Sequence, residues 1–317
     1  MNIQLVTPAP LGLNNGNKIT AVRWLRILRK LQHKVTLSQS YNGATCDVLI
    51  ALHAKRSYDS ICRFHEMHPQ LPLIVVLTGT DLYRDIRINR SAKHSLEMAT
   101  RIVALQRQAL TELPKRLHAK TRVIYQSAKV IRTKPPKWES PKFKVSVIGH
   151  LRGEKDPLRT AYAVRNLPAH SRLEILQVGR PLEENLGALV RSEATRNPRY
   201  RWIGEIPHWR AKQILARSHL TVISSRMEGS SNVLCEALAS SIPVIASKIP
   251  GIVGTLGENY PGYFPVGKTN QLRNLLLRAE SDAAFYKSLR RQCSKLSHLV
   301  EPKRELACWR TLLREFK

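Results

Sequence analysis

The sequence predicts an α/β protein of two doubly wound, Rossmann-like domains facing a central cleft. Three observations carry that prediction. The chain has 317 residues, enough for two domains at about 100–200 residues each. Short apolar strand patterns alternate with amphipathic helix patterns almost throughout, as in parallel sheets covered by helices on both faces. The alternation breaks once, over residues 127–143, and then restarts. That stretch, SAKVIRTKPPKWESPKF, holds three prolines and five basic residues with little apolar periodicity, so it reads as an interdomain linker. The expected domains are 1–135 and 142–300, with a helix over about 302–317 packing back on the first.

Residues 3–6 read as a short apolar strand ending at Thr7-Pro8, and the loop 9–16 carries Gly12 and Gly16. A helix follows over about 17–32. Its Ala21, Leu25, Leu28 and Leu31 keep a three-to-four spacing, with Arg23, Arg26, Arg29 and Lys30 outside. Further strands are expected at 35–37, 48–52, 73–77, 101–105 and 121–124, with helices between most of them. After the break, strands read at 144–149, 173–179, 200–203, 220–224 and 243–246, and helices near 155–166, 182–197, 209–217, 232–239 and 269–280. The stretch 281–317 is helical in pattern and interrupted near Pro302. Ligands of such sheets bind beyond the carboxyl ends of the strands, and a cleft between two domains is where they are expected here.

Charge narrows the partners. Lys plus Arg number 52 and Asp plus Glu 23, a net of +29. Residues 1–144 hold 25 basic and 8 acidic side chains (+17), and residues 145–317 hold 27 and 15 (+12). The excess implies an anionic partner and is not concentrated in a tail. Aromatics are only 6%, a poor supply of stacking platforms, so nucleic acid is not expected. An anionic substrate explains the sign, and so does peripheral contact with an anionic membrane. Cys46, Cys62, Cys235, Cys293 and Cys308 form no C-x-x-C pair and no disulfide framework. No signal peptide and no apolar run of membrane-spanning length is seen. The expectation is a cytoplasmic protein of open oligomeric state.

The sharpest segment is SSRMEGSSNVLCEALASSIPVIA, residues 224–246. Glu228 and Glu236 are eight apart, a spacing expected about once by chance in this composition. Context adds specificity, because the pair straddles a strand-to-helix turn at a carboxyl edge. The turn Gly229-Ser230-Ser231-Asn232 would present backbone N–H groups at a helix start, where phosphate is stabilised. A second segment, IGHLRGEKD (148–156), opens the second domain's first strand-to-helix turn. Lys155 is expected to open a helix there and reach back over the turn as a point charge for phosphate. In the first domain, polar turns follow apolar strands at ALHAKRS (51–57) and LTGTDLYRD (77–85). No G-x-G-x-x-G fingerprint and no D-x-D occurs, so neither a dinucleotide cofactor nor a metal clamp is expected.

The stretch E-G-S-S-N-V-L-C-E-A-L-A-S-S-I-P-V-I-A resembles the nucleotide-sugar motif of GT-B glycosyltransferases of family four. The resemblance implies a GT-B fold, a UDP-sugar donor and no cofactor. It places Glu228 on the transferred sugar and Glu236 on the ribose, and departs at Ser240-Ser241, where the family usually has a glycine. It also implies an arginine and a lysine on the diphosphate. Lys155 fits the lysine, while the arginine position holds His150, so either Arg152 supplies the charge or a protonated His150 donates. YRWIGEI (200–206) resembles the family's turn near the base, with backbone around Gly204 reading uracil. Gly16 falls in the family's sugar-phosphate loop. Asn17, Lys18 and Thr20 are its polar groups.

The combination of the N-terminal TPAP loop, CDVLIALHAKRS, LTGTDLYRD and GHLRGEKDPLR is more particular, and resembles the selenosugar synthases of selenoneine biosynthesis. That resemblance implies transfer of a sugar from a UDP-sugar, UDP-N-acetylglucosamine, to selenophosphate, and with no D-x-D the transfer is expected to be metal-independent. His53, Lys55, Arg56, Thr80, Asp81 and Arg84 would join Asn17, Lys18 and Thr20 in binding this small anion, with Lys155, Arg152 and Glu228 as the catalytic set. The alternative is a family-four-like enzyme with a lipid or small-alcohol acceptor.

Overall fold

The computed structural model describes residues 1–9 and 15–316. The first sheet contains β1 (Asn2–Val6), β2 (Lys34–Ser38), β3 (Val48–Leu52), β4 (Leu73–Val76), β5 (Arg101–Ala104) and β6 (Thr121–Val123). Its order is β2-β1-β3-β4-β5-β6, with every pairing parallel. The second contains β7 (Phe143–Ile148), β8 (Leu173–Val178), β9 (Tyr200–Trp202), β10 (Leu220–Ile223), β11 (Val244–Ser247) and β12 (Tyr263–Phe264). Its order is β12-β11-β10-β7-β8-β9, again parallel throughout. The central strands VLIAL and LIVV are buried at every position. Such continuous apolar runs are what a sheet covered on both faces requires.

Strand order fixes where ligands can enter. In the first sheet β1 pairs with β2 on one side and β3 on the other. In the second, β7 pairs with β8 and β10. The winding therefore reverses between β1 and β3 and between β7 and β10. A crevice opens at the carboxyl ends of such a reversal.

The chain divides into two compact units: residues 1–126 with Glu228–Ser231 and Pro302–Lys317, and residues 127–227 with 232–301. The boundary falls earlier than the expected 135. The stretch 127–143 is not a slack linker. Ala128 N–H donates to Val300 O, Ile131 N–H to Ser240 Oγ, and Trp138 Nε1 to Ala279 O. His219 completes this strap, its Nδ1 accepting from Lys144 N–H (2.9 Å) and its Nε2 donating to Lys137 O (2.8 Å). The prolines keep the segment extended while its side chains and backbone find partners on the second unit.

The helix Pro302–Arg314 begins at the proline that interrupts the C-terminal pattern, a residue suited to a first helical turn. Within the first unit it packs on the helix Gly16–Lys30, where Trp24 and Trp309 meet edge to face at 4.8 Å. Buried Glu305 accepts from Trp24 Nε1 (2.6 Å) and pairs with Arg23 (3.1 Å).

One expected helix is corrected. Residues 155–166 do not form a continuous helix. A single 3-10 turn, Gly153–Lys155, is followed by a short helix, Arg159–Ala163. Between them Asp156 is left-handed at φ 45°. The following Pro157 disfavours the right-handed helical region at Asp156, and the Asp156 carboxylate instead holds Arg159 Nε at 2.8 Å. The two-residue β12 carries no pattern long enough to be read from sequence.

Candidate active site

The edge of the second sheet is built largely of backbone. Gly149, Gly179 and Gly204 follow β7, β8 and β9, with φ of 151°, 141° and 72°. Gly179 N–H donates to Gly204 O (2.8 Å), and Trp202 Nε1 donates to Gly179 O (2.8 Å). That bond makes Trp202 a brace of the turn. A Cβ on Gly179 would lie 1.9 Å from Gly149 O, so only glycine lets the two turns meet. Lys155 bends towards the first of them, its Cε 4.0 Å from where a Cβ on Gly149 would stand. Lys155 thus reaches the turn as expected, but from the end of a 3-10 turn and not from a helix start. His150 follows Gly149 and is half-buried. Arg152 Nε lies 3.9 Å from Glu154 Oε2, a loose pair at the surface.

Asn232 opens the helix Asn232–Ala239, as expected. Glu236 is not the solvated helix acid the sequence allows. It is buried, with Oε1 2.7 Å from His208 Nε2 and 3.5 Å from Lys212 Nζ. Both contacts fall on Oε1. His208 and Lys212 are one turn apart on the helix His208–Ala216, which places both on one face. The Ser240-Ser241 departure has a structural counterpart: Ser241 adopts φ 53°, a conformation that favours glycine. Ser240 Oγ accepts from Ile131 N–H.

Glu228, Gly229, Ser230 and Ser231 group with the first unit. Glu228, Gly229 and Ser231 are buried. A Cβ on Gly229 would lie 1.6 Å from Thr78 O, so this turn presses backbone against the Thr78-Gly79 turn of the same unit.

The edge of the first sheet is held by side chains. His53 ends β3 at the winding reversal, 1% exposed and left-handed at φ 74°. Its Nε2 lies 3.0 Å from Thr80 Oγ1, and its Nδ1 lies 3.2 Å from Arg56 N–H. Asp81, fully buried, accepts from Thr78 N–H, Thr78 Oγ1 and Gly79 N–H on Oδ1, and from Ala54 N–H on Oδ2. These four bonds make Asp81 a fastener of two turns, which corrects its expected role as an acceptor contact. Asp85, four residues on in a π-helical turn, is buried beside His53 Nε2 at 3.9 Å. It holds Lys55 Nζ (3.9 Å) and Arg84 Nε (3.2 Å), whose side chains are half exposed. Arg56 is exposed.

The N-terminal loop gives less than expected. Residues 10–14 lie outside the described residues, and Gly12 with them. Gly16 is the first residue of its helix, capped by Asn15 Oδ1 on Lys18 N–H (3.0 Å). Thr20 is buried, donating to Gly16 O (2.9 Å) and accepting from Gln126 Nε2 (3.0 Å). Its hydroxyl is spent inside the unit, which corrects its assignment as an acceptor contact. Asn17 and Lys18 stay half-buried at the helix start.

Residues 130–296 match the model of a protein family described as glycosyl transferases group 1. That span is more than half of the chain. The chain belongs to the group 1 glycosyl transferases. Solved structures agree in fold. HepE of Anabaena, in complex with UDP, superimposes with a TM-score of 0.75 at 14% identity, covering 99% of each chain. Sucrose-phosphate synthase of Thermosynechococcus elongatus gives 0.77 at 15%, covering 99% of this chain and 98% of the other. The pneumococcal O-GlcNAc transferase GtfA, with UDP and GlcNAc, gives 0.66 at 16%, covering 93% and 60%. The two winding reversals are thus those of a GT-B glycosyltransferase. Among its described residues no helix is long and apolar enough to cross a membrane.

For this glycosyltransferase, sequence reasoning missed Asp85, His208, Lys212 and Gly179. Asp85 had a signal, since Asp81 and Asp85 sit one helical turn apart. His208 and Lys212 had none, because their partner Glu236 lies on another helix.

Proposed function

We propose that this group 1 glycosyltransferase moves a sugar, N-acetylglucosamine, from its UDP conjugate to selenophosphate, as a step of selenoneine biosynthesis. The observation that carries the donor half is the Lys155 stem lying over the Gly149 turn at the β7/β10 reversal. There the lysine and the nearby Arg152 would stabilise the charge on departing UDP, the role a metal plays elsewhere. His150 would add a donor to the diphosphate. Asn232, at its helix start, and the Ser230-Ser231 turn would supply further N–H donors. Glu236 Oε2 would accept from the ribose, Gly204 would read the base, and Glu228 would face the sugar.

The acceptor half rests on charge. Lys55 and Arg84 pair with Asp85 in the turn that Thr80 begins, Arg56 is exposed beside Lys55 in sequence, and Asn17 and Lys18 lie at the start of a helix in the same unit. Selenophosphate is already an anion, so its selenium needs no general base. Selenium donates a lone pair to C1, the C1–O bond to the diphosphate breaks, and UDP leaves with the electron pair.

Mass spectrometry of products from UDP-sugars with selenophosphate, beside phosphate, thiophosphate and lipid-alcohol controls, tests both halves. A product with selenium on C1 and stoichiometric UDP is expected. Transfer to an alcohol with none to selenophosphate overturns the acceptor half. No UDP release with any acceptor overturns the donor half.

A further inference from the structure

We infer that His53 is a positioning residue that leaves the Thr80 hydroxyl hydrogen to be donated to a ligand, so that the first sheet's edge offers a hydrogen-bond donor to an anionic acceptor. The substrate class is a small tetrahedral oxyanion or its chalcogen analogue. This deepens the acceptor reading above and rests on it.

The direction of the hydrogen bond follows from the tautomer. Arg56 N–H can only donate, so His53 Nδ1, 3.2 Å away, accepts and carries no hydrogen. A neutral imidazole then has its one hydrogen on Nε2. That hydrogen is given to Thr80 Oγ1 at 3.0 Å. The Thr80 oxygen thereby accepts from His53, and its own hydrogen must be given elsewhere. No bond donated by Thr80 is found among the described residues. Thr80 is half-buried, so a ligand at the edge can receive that hydrogen.

The surroundings hold this state in place. The left-handed backbone of His53 fixes where the ring starts, and its N–H donates to Val76 O at 2.8 Å. Asp81 pins the Thr78-Gly79 turn that precedes Thr80 and the Ala54 N–H that follows His53. Asp85 stands 3.9 Å from the Nε2 side of the ring and draws Lys55 and Arg84 to the same edge. Lys55 and Arg84, both held on Asp85 in the turn that Thr80 begins, bring two cations to this edge, and cations favour an anion.

The test uses the full chain and thiophosphate as the probe, with affinities for thiophosphate and for UDP measured by calorimetry. Thr80→Val removes the donated hydrogen and should weaken thiophosphate about 10–100-fold, the range for one hydrogen bond to a charged group. Thr80→Ser should stay within about threefold of the parent. His53→Asn keeps a residue tolerant of left-handed backbone and should behave like Thr80→Val. UDP affinity should be unchanged in all three, which a general loss of structure would not allow. Nitrogen-15 histidine spectra of the parent should show His53 as the Nε2–H tautomer, a readout that stands even if His53→Asn does not fold. An Nδ1–H tautomer, or thiophosphate affinity unaltered in Thr80→Val, overturns the inference. Thiophosphate binding lost in Thr80→Val while the parent takes up no UDP would sustain this inference and overturn the donor reading instead.

Discussion

The two sheet edges are built in opposite ways. The first is fastened by buried side chains: Asp81 receives four hydrogen bonds from two turns, and His53 links a third group, Thr80. The second is fastened by backbone, with Gly149, Gly179 and Gly204 in direct contact or bonded to one another. Backbone edges present fixed N–H and C=O groups. Side-chain edges hold few, aimed groups. The same winding reversal thus carries two kinds of edge, and the difference lies in which residues end the strands.

The largest effect should come from breaking the backbone edge. Gly179→Ala places a Cβ 1.9 Å from Gly149 O at φ 141°, so the turns must separate. Overpacking and left-handed strain together cost about 3 kcal/mol or more, and a lowered melting temperature with lost UDP binding is expected. Gly204→Ala is the control. It has φ 72° but nothing within 4 Å, so only about 1 kcal/mol of strain should appear in the same melting curve.

Breaking the side-chain edge comes next. Asp81→Ala leaves Thr78 N–H, Gly79 N–H and Ala54 N–H without their acceptor. The loss should be about 3 kcal/mol, read as a melting shift of roughly 6–12 °C if unfolding is cooperative. UDP affinity should survive in whatever fraction folds.

Lys155→Ala should lower turnover about 10–100-fold, the cost of one charge-assisted hydrogen bond to the leaving group. Steady-state kinetics with a UDP-sugar checks this, and unchanged turnover would remove Lys155 from the chemistry.

A smaller effect is set by pH. Burial lowers the proton affinity of His219, whose ring is already bonded at both nitrogens. The unfolded chain therefore binds the proton first as pH falls below about 6.5. Stability contributed by neutral His219 is present above that pH and declines as the solution is acidified through it. Denaturant titrations between pH 7.5 and 5.5 should show the decline, and His219→Gln should flatten it.

The smallest expected change is a gain. Ser241→Gly relieves φ 53° and should raise stability by up to about 1 kcal/mol, a few degrees in melting temperature.

Most strands could be read from the sequence because each is a short apolar run bounded by turns. Those of β3 and of the helix Asn232–Ala239 match the expected bounds. What could not be read is long-range. The Pro-rich stretch looks slack until its partners on the second unit are known. Thr20 and Asp81 look available until Gln126 and Ala54 are seen to use them. Glu236 looks solvated until His208 arrives from another helix. Local pattern specifies where a turn falls, and only tertiary contact decides which of its polar atoms remain for a ligand.

Calorimetric titration of UDP into the parent, Lys155→Ala, Glu236→Gln and Thr80→Val chains separates the two edges most directly. Saturable uptake by the parent, weakened in the Lys155 and Glu236 variants and unaltered in the Thr80 variant, is the expected pattern. A folded parent chain that takes up no UDP, or variants of both edges that lose it equally, would contradict a nucleotide site on the backbone-built edge.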